Sequence, residues 1–322
     1  MKKISYDISE VVPYINWLYF YHAWGLSGKK EEEKQKMRQE AEEMLSSWEG
    51  KYHTHALLKV LDAYSEGDDI IVETGNSDEL NGCADAEKKQ VRLPLLRQQH
   101  PSAPGAPNFC LADFIRPRSL QVSGAETKTE KMLQRDIARR LGVFCCTVDA
   151  SILDAYRNHE YLGMMAQLLC DRLAEATAEL LHEQTRKTYW GYAPDEHLTP
   201  QQLHREEYQG IRPAIGYPSL PDTSFNFIID QLLDMKQVGI RLTETGMMTP
   251  HSSVSGLMFA HPKAQYFELG KIGEDQLRDY AHRRGVPVEL MRRFLQSSLL
   301  KRECYGLMSH WIFVFILSSG FS

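Results

Sequence analysis

Most of the motifs that announce a chemistry are missing from this chain. It has no G-x-G-x-x-G after a strand-like run, no P-loop, no H-E-x-x-H and no G-x-S-x-G. Dinucleotide, nucleoside triphosphate, zincin and serine-hydrolase chemistries therefore lack sequence support. Six cysteines (Cys83, Cys110, Cys145, Cys146, Cys170 and Cys304) form no C-x-x-C pair. That leaves neither a zinc ribbon nor a thioredoxin-like site, and no metal site is expected. Reduced thiols and a cytoplasmic location are the expectation. Positive charge is not in excess, since 37 Lys and Arg stand against 43 Asp and Glu for a net charge of -6. A nucleic-acid partner held by a broad basic field is excluded. The opening "MKKISYDISEVVPYINW" has no apolar h-region, so no signal peptide is read there. Long apolar runs are scarce. The run from Trp311 to Leu317 is far shorter than the roughly 20 residues that span a bilayer. No membrane anchor is expected from it. A packed strand or helix, a sticky tail and an artefactual end of the reading frame stay open.

What is present is ordinary for a globular protein: 322 residues, 43% hydrophobic and 25% charged, enough for one large domain or two small ones. No internal repeat occurs. The stretch "KKEEEKQKMRQEAEEMLSSWEGK" combines good helix formers with i,i+4 charge pairs and predicts a solvated helix. "HALLKVLDAYSEGDDIIVETG" reads as an apolar helix or strand, a polar turn and a short strand, and "FCLADFI" as a buried strand after the proline-rich loop of residues 94–108. From Glu160 to Thr188, Met165, Leu169, Leu173, Ala176 and Leu180 recur at helical spacing. Glu175 lies on the flank of that stripe, where periodicity alone makes it a solvent-exposed glutamate. Thr199 and Pro200 mark a helix start. "TSFNFIIDQLLDMKQVG" reads as one helix capped by Gly239, the segment from Ile240 as strands, and the segment from Gly273 as two short helices broken at Gly285 and Pro287. The mixture indicates an α+β or mixed α/β fold.

Two histidines stand near motif-like runs. "DYAHRRG" is close to a D-x-H-x-x-G cobalt-ligand motif, but its aspartate is one residue early. His282 is therefore read as a surface histidine and His261 as a turn histidine bonded to backbone. Arg212 is different. In "YQGIRPAIGYPSLPD" it lies between Gly210 and Pro213, with Gly216 permitting close backbone approach. A fixed guanidinium suits a carboxylate or phosphate. A structural ion pair in a tight loop accounts for the same residues equally well.

That loop, with its R-x-x-x-G-Y pattern, resembles the S-adenosylmethionine-binding loop of the C-terminal reactivation domain of cobalamin-dependent methionine synthase. "YINWLYFYHAWGLSGK", "NFCLADFI", "DRLAEATAELLHEQTRKTYWGYAPDE" and "LTETGMMTPHSSVSGLMFAHPKAQYFELGKIGEDQLRDYAHRRG" resemble further blocks of that family in family order, "NFCLADFI" its central strand. The resemblance spans residues 1–298. The tail, residues 299–322, does not share it. The resemblance implies a C-shaped α+β domain with a twisted antiparallel sheet flanked by helices. It implies that Arg212 binds the carboxylate of S-adenosylmethionine, that Ala214 adds backbone contacts, and that Gly216 and Tyr217 face the corrin. Glu175 is implied near the sulfonium, and Tyr266 as a further contact. Where the family has an acid for the ligand's amino group, this chain has Asn16, and Ile215 replaces a loop proline. No catalytic nucleophile or base is implied. The implied role is reactivation, in trans, of cobalamin carried by a separate methionine synthase or other corrinoid protein. A flavodoxin-like protein would donate the electron. A non-catalytic S-adenosylmethionine sensor or assembly module is the alternative.

Overall fold

The computed structural model describes residues 1–74, 89–101, 103–118 and 137–300. Cys83, Cys304 and the apolar tail from residue 301 lie outside them. Eight strands are described: β1 (Lys2–Asp7), β2 (His53–Glu66), β3 (Asp69–Thr74), β4 (Lys89–Pro94), β5 (Arg140–Val148), β6 (Arg241–Leu242), β7 (Met248–Thr249) and β8 (Ser253–Met258). Six of them form one open antiparallel sheet in the order β4-β3-β2-β5-β8, with β1 also on β2; β6 and β7 pair separately. β2 is long enough to share one edge between two partners. Its first half pairs with β1 and its second with β3, while β5 lies along the other edge. Gly67, at φ +60°, makes the tight turn from β2 to β3 that a side chain would strain.

β5, "RLGVFCCTV", is buried from Leu141 to Val148, so it reads as a continuous apolar run rather than an alternating one. Alternation still sorts its side chains. Phe144 and Cys146 enter one core with Ala56 and Leu58 of β2, whereas Val143 and Cys145 enter the other with Leu57. The first core is closed by helices α1 (Ile8–Val11), α2 (Trp17–Ala23), α3 (Glu31–Trp48), α4 (Ser151–Ala155) and, above all, α5 (Glu160–Gln184). α3 is solvated on most sides and buries Ala41, Met44, Leu45 and Trp48. The short α6 (Pro200–His204) starts at Thr199, whose side chain accepts from the Gln202 amide. α7 (Asn226–Leu233) covers the second core, and α8 (Glu274–Arg284) and α9 (Val288–Phe294) form a third.

Two sequence expectations are corrected. "FCLADFI" is not a strand: Leu111–Phe114 is a buried 3-10 turn, and the central strands are β2 and β5. The Asp113 carboxylate accepts from the Cys110 amide at 2.9 Å and from Arg97. These side-chain bonds take the place of ladder bonds and bend the chain. The helix predicted through Gly239 breaks at Asp234, φ +52°. There the Asp230 carboxylate takes the Met235 amide at 2.8 Å, and a 3-10 turn, Met235–Val238, finishes the segment.

Candidate functional site: a groove between the sheet edge and the long helix

β8 is the last strand of its sheet, and its free edge is covered by the Arg212 loop. Ile211 exchanges backbone bonds with Phe259 at 2.9 Å, the Leu257 amide donates to Pro213 O at 3.1 Å, and the Ile215 amide to Ser255 O at 2.9 Å. The loop is therefore a short irregular strand that blunts the edge. Strand alternation then decides which residues face what. Ile211 and Ile215 are anchored in the second core, and Ala214 packs in the first, on the α5 side. Arg212 shares the parity of Ala214 and meets α5. The close crossing needs a glycine on the other strand, because a Cβ on Gly256 would lie 2.3 Å from Pro213 O and 2.9 Å from Ala214 Cα.

α5 contributes a polar stripe. Arg172, Glu175, Glu179 and His182 follow one another at steps of three and four residues and so share a face, which Arg186 extends in the turn Thr185–Tyr189 that follows the helix. Arg212 Nη2 donates to Glu179 Oε2 at 2.8 Å, with the two side chains 11% and 13% exposed. Burial alone would weaken the Arg212 charge; Glu179, Tyr266, Tyr208 and Glu175 outweigh it and raise its pKa above the ordinary arginine value. Arg212 Nε and Glu179 Oε1 are buried without a partner. The Arg212 amide donates to Tyr266 Oη at 2.9 Å. Further along the stripe, Arg186 and Glu196 form a buried pair. His182 is buried too, and burial, then Arg186 and Arg212, depress its pKa well below the usual histidine value.

Between loop and stripe lies a cavity of about 700 Å³, within the range of small-molecule sites. It brings together six of the seven residues singled out from sequence: Asn16, Glu175, Arg212, Ala214, Tyr217 and Tyr266. Gly216 is not among its lining residues. At φ +90°, with its amide donating to Leu220 O at 2.8 Å, it makes the turn that presents Tyr217. Tyr217, 49% exposed, donates its hydroxyl to Glu175 Oε1 at 2.5 Å, so Glu175 is not a free surface carboxylate. Burial, then Glu175, raises the Tyr217 pKa and keeps the phenol protonated. Asn16 is the N-cap of α2, its Oδ1 accepting from the Leu18 amide at 3.2 Å.

Sequence reasoning missed Glu179, Glu206 and Tyr208, which also line the cavity. Glu179 was legible in principle, four residues after Glu175 on the same helix face. Glu206 was not, since it stands in a non-glycine left-handed conformation, φ +57°. The loop's far end is fixed by Asp222, which accepts from Tyr280 Oη at 2.8 Å and Arg284 Nη1 at 2.7 Å. The two motif-adjacent histidines stand as read. His282 is exposed on α8, and His261 Nδ1 accepts from the Lys263 amide at 3.1 Å. Among the described residues no group of three or more His, Cys, Asp or Glu is arranged to hold a metal ion. No described helix is long and apolar enough to cross a membrane.

Fold and site together define an α+β domain with an open antiparallel sheet and a charged, aromatic-lined groove at the sheet edge. The family model for the activation domain of vitamin B12-dependent methionine synthase matches residues 7–285, and this chain belongs to that family. Among solved structures, the MetH reactivation domain bound to AdoHcy is similar, with a TM-score of 0.77 at 33% identity over 93% of this chain and 90% of that chain.

Proposed function

We propose that the groove binds S-adenosylmethionine and presents its methyl group to cobalamin held by a corrinoid partner, restoring an oxidised cofactor for methionine synthesis. The carrying observation is Arg212, a guanidinium held by a single contact to Glu179 at the wall of a cavity of small-molecule size. The residues fit the ligand. Arg212 suits the ligand carboxylate by charge-assisted bonds, and Glu175 supplies negative charge for the sulfonium. Ala214 and Tyr266 complete the wall, and Tyr217 stands half-exposed at the mouth, toward the corrin. Asn16 Oδ1 retains a second lone pair that can accept from the amino end. Bound there, S-adenosylmethionine supplies an electrophilic methyl group. The protein's own work is positioning and electrostatics, and no side chain here is assigned as nucleophile or general base.

In this reading the corrinoid is carried by a separate partner protein and the chain acts on it in trans, in the cytoplasm. A flavodoxin-like donor would supply the electron. The test mixes the chain with cob(II)alamin-loaded methionine synthase, a reductant and methyl-labelled S-adenosylmethionine. Label on cobalt supports the reading. Ligand binding without label transfer favours instead a sensor or assembly module, for which the neutral, cap-engaged Asn16 is the supporting observation.

A further inference from the structure

We infer that Ser5, His55 and Asp149 form a second site that hydrolyses small carboxylic esters. Ser5 is its nucleophile, His55 its base and Asp149 the residue that positions the base. The site is independent of the proposed function, so either can fail without the other.

The sheet brings the three residues together. Ser5 on β1 lies opposite His55 on β2, and Asp149 follows directly on β5, the other neighbour of β2. His55 shares the parity of Leu57, which enters the second core. The site therefore lies on the face of the sheet away from α5 and the Arg212 groove. Asp149 Oδ1 meets His55 Nε2 at 2.8 Å, and Asp149 Oδ2 accepts from the His53 amide at 2.8 Å. The backbone bond fixes the carboxylate. The ring nitrogen that faces a carboxylate carries the proton, which leaves Nδ1 as an acceptor. Ser5 Oγ donates to that Nδ1 at 2.9 Å. His53 is committed elsewhere, since its Nε2 faces Asp7 Oδ1 at 3.0 Å. A nucleophile, a base and an orienting carboxylate within hydrogen-bond reach are the arrangement that activates a serine. Solvent reaches the site, and all three residues border a cavity of about 380 Å³ with Val148, Val238 and Pro250. Those apolar walls suit a short acyl group. Lys3, two residues before Ser5 on β1, also lines the cavity and supplies positive charge for the developing oxyanion.

In the reaction, Ser5 Oγ bonds to the ester carbonyl carbon as its proton passes to His55 Nδ1. The bond from that carbon to the alcohol oxygen breaks, and His55 returns the proton to the leaving oxygen. Water then frees the acid from Ser5 by the same relay.

The test measures p-nitrophenyl acetate hydrolysis and fluorophosphonate labelling of the full chain. Label on Ser5 and turnover above buffer are expected. Ser5→Ala should lose the label and slow hydrolysis by about 100-fold or more, with its denaturation midpoint unchanged. Asp149→Asn keeps an acceptor for the His53 amide but offers the ring no charge. Its kcat should fall by about 100-fold or more with KM unchanged, whereas a merely structural Asp149 would leave kcat where it was. The proposal is overturned if the probe leaves Ser5 unlabelled, or if Ser5→Ala hydrolyses the ester at the parent rate.

Discussion

Two buried arginines near the foot of the long helix make opposite use of the same chemistry. Arg186 is fully buried and meets Glu196, 9% exposed, through Nε and Nη2 on both carboxylate oxygens, at 2.7 to 3.0 Å. Its guanidinium lies 4.1 Å from the centroid of the Tyr208 ring. Arg212 meets Glu179 by one contact, and each partner keeps an unpaired buried atom. Arg186 does not line the groove and Arg212 does. Arg186 Nη1 is likewise buried without a partner, so what distinguishes the two pairs is geometry and place: a two-pronged pair away from the groove against a single contact at a cavity wall. The difference supports the ligand reading proposed for Arg212 over a structural ion pair.

The largest expected effect breaks the two-pronged pair. Arg186→Ala strands the Glu196 carboxylate among buried groups and should cost about 4 kcal/mol of stability, read as a shifted midpoint in denaturant. A loss under about 1 kcal/mol would mean that the pair behaves like a surface one. Gly256→Ala attacks the other arginine indirectly, because the new Cβ falls on the Pro213 carbonyl. It should lower stability by about 3 kcal/mol and pull the Arg212 segment off the sheet edge, while leaving Arg186 in place. Arg212→Ala should show the reverse profile. S-adenosylmethionine affinity falls by about 100-fold, as for a lost bidentate charge-assisted contact. Stability changes less than in Arg186→Ala, since Glu179 borders the cavity, whereas Glu196 sits against the fully buried Arg186. Unchanged affinity in calorimetry would return Arg212 to a structural role.

How much of this contrast was legible follows from where each signal lives. Helical periodicity gave α5, and the Gly and Pro breaks gave α8 and α9, because these are local. The Arg212 loop was visible as stiff backbone, but its pairing with β8 is a tertiary event recorded in no local pattern. Hence the run ending at Gly256, which resembles a Gly/Ser turn of the family, is instead the start of β8, and the crossing depends on its glycine. "FCLADFI" misled because an apolar run of seven does not distinguish a strand from a buried 3-10 turn. The decisive signal there was Asp113 reaching back to its own N-cap and across to Arg97. Glu175 was placed by family resemblance against its periodicity, and its bond to Tyr217 explains why periodicity pointed to solvent. Position within a stripe says which face a residue shares, not what waits there.

His182 sits between the two arginines and makes the comparison pH-dependent. Burial, with Arg186 and Arg212 nearby, depresses its folded pKa. Its unfolded value stays near the ordinary 6.5 or so. Below that pH the unfolded chain binds a proton that the folded chain refuses, so acid favours unfolding. The contribution is fully present above about 6.5 and falls by about 1.4 kcal/mol per pH unit beneath it. His182→Gln should remove this slope between pH 6.5 and the folded pKa. An unaltered slope would assign the acid sensitivity to other groups.

The smallest effect tests the neutral member of the groove. Asn16 caps α2 through its oxygen, and Asn16→Ala should cost about 1 kcal/mol by orphaning the Leu18 amide. Asn16→Asp keeps an equally good cap, so stability should stay within about 0.5 kcal/mol of the parent. It also adds an anion to a cavity whose proposed ligand is cationic at the sulfonium and at the amino end. Affinity for S-adenosylmethionine should therefore rise by a modest factor, about fivefold for 1 kcal/mol. The gain should be smaller than the loss from Arg212→Ala, because Arg212 brings a full charge to the cavity wall while Asn16 is already committed to its helix. If Asn16→Asp leaves affinity unchanged while stability holds, residue 16 serves the helix alone.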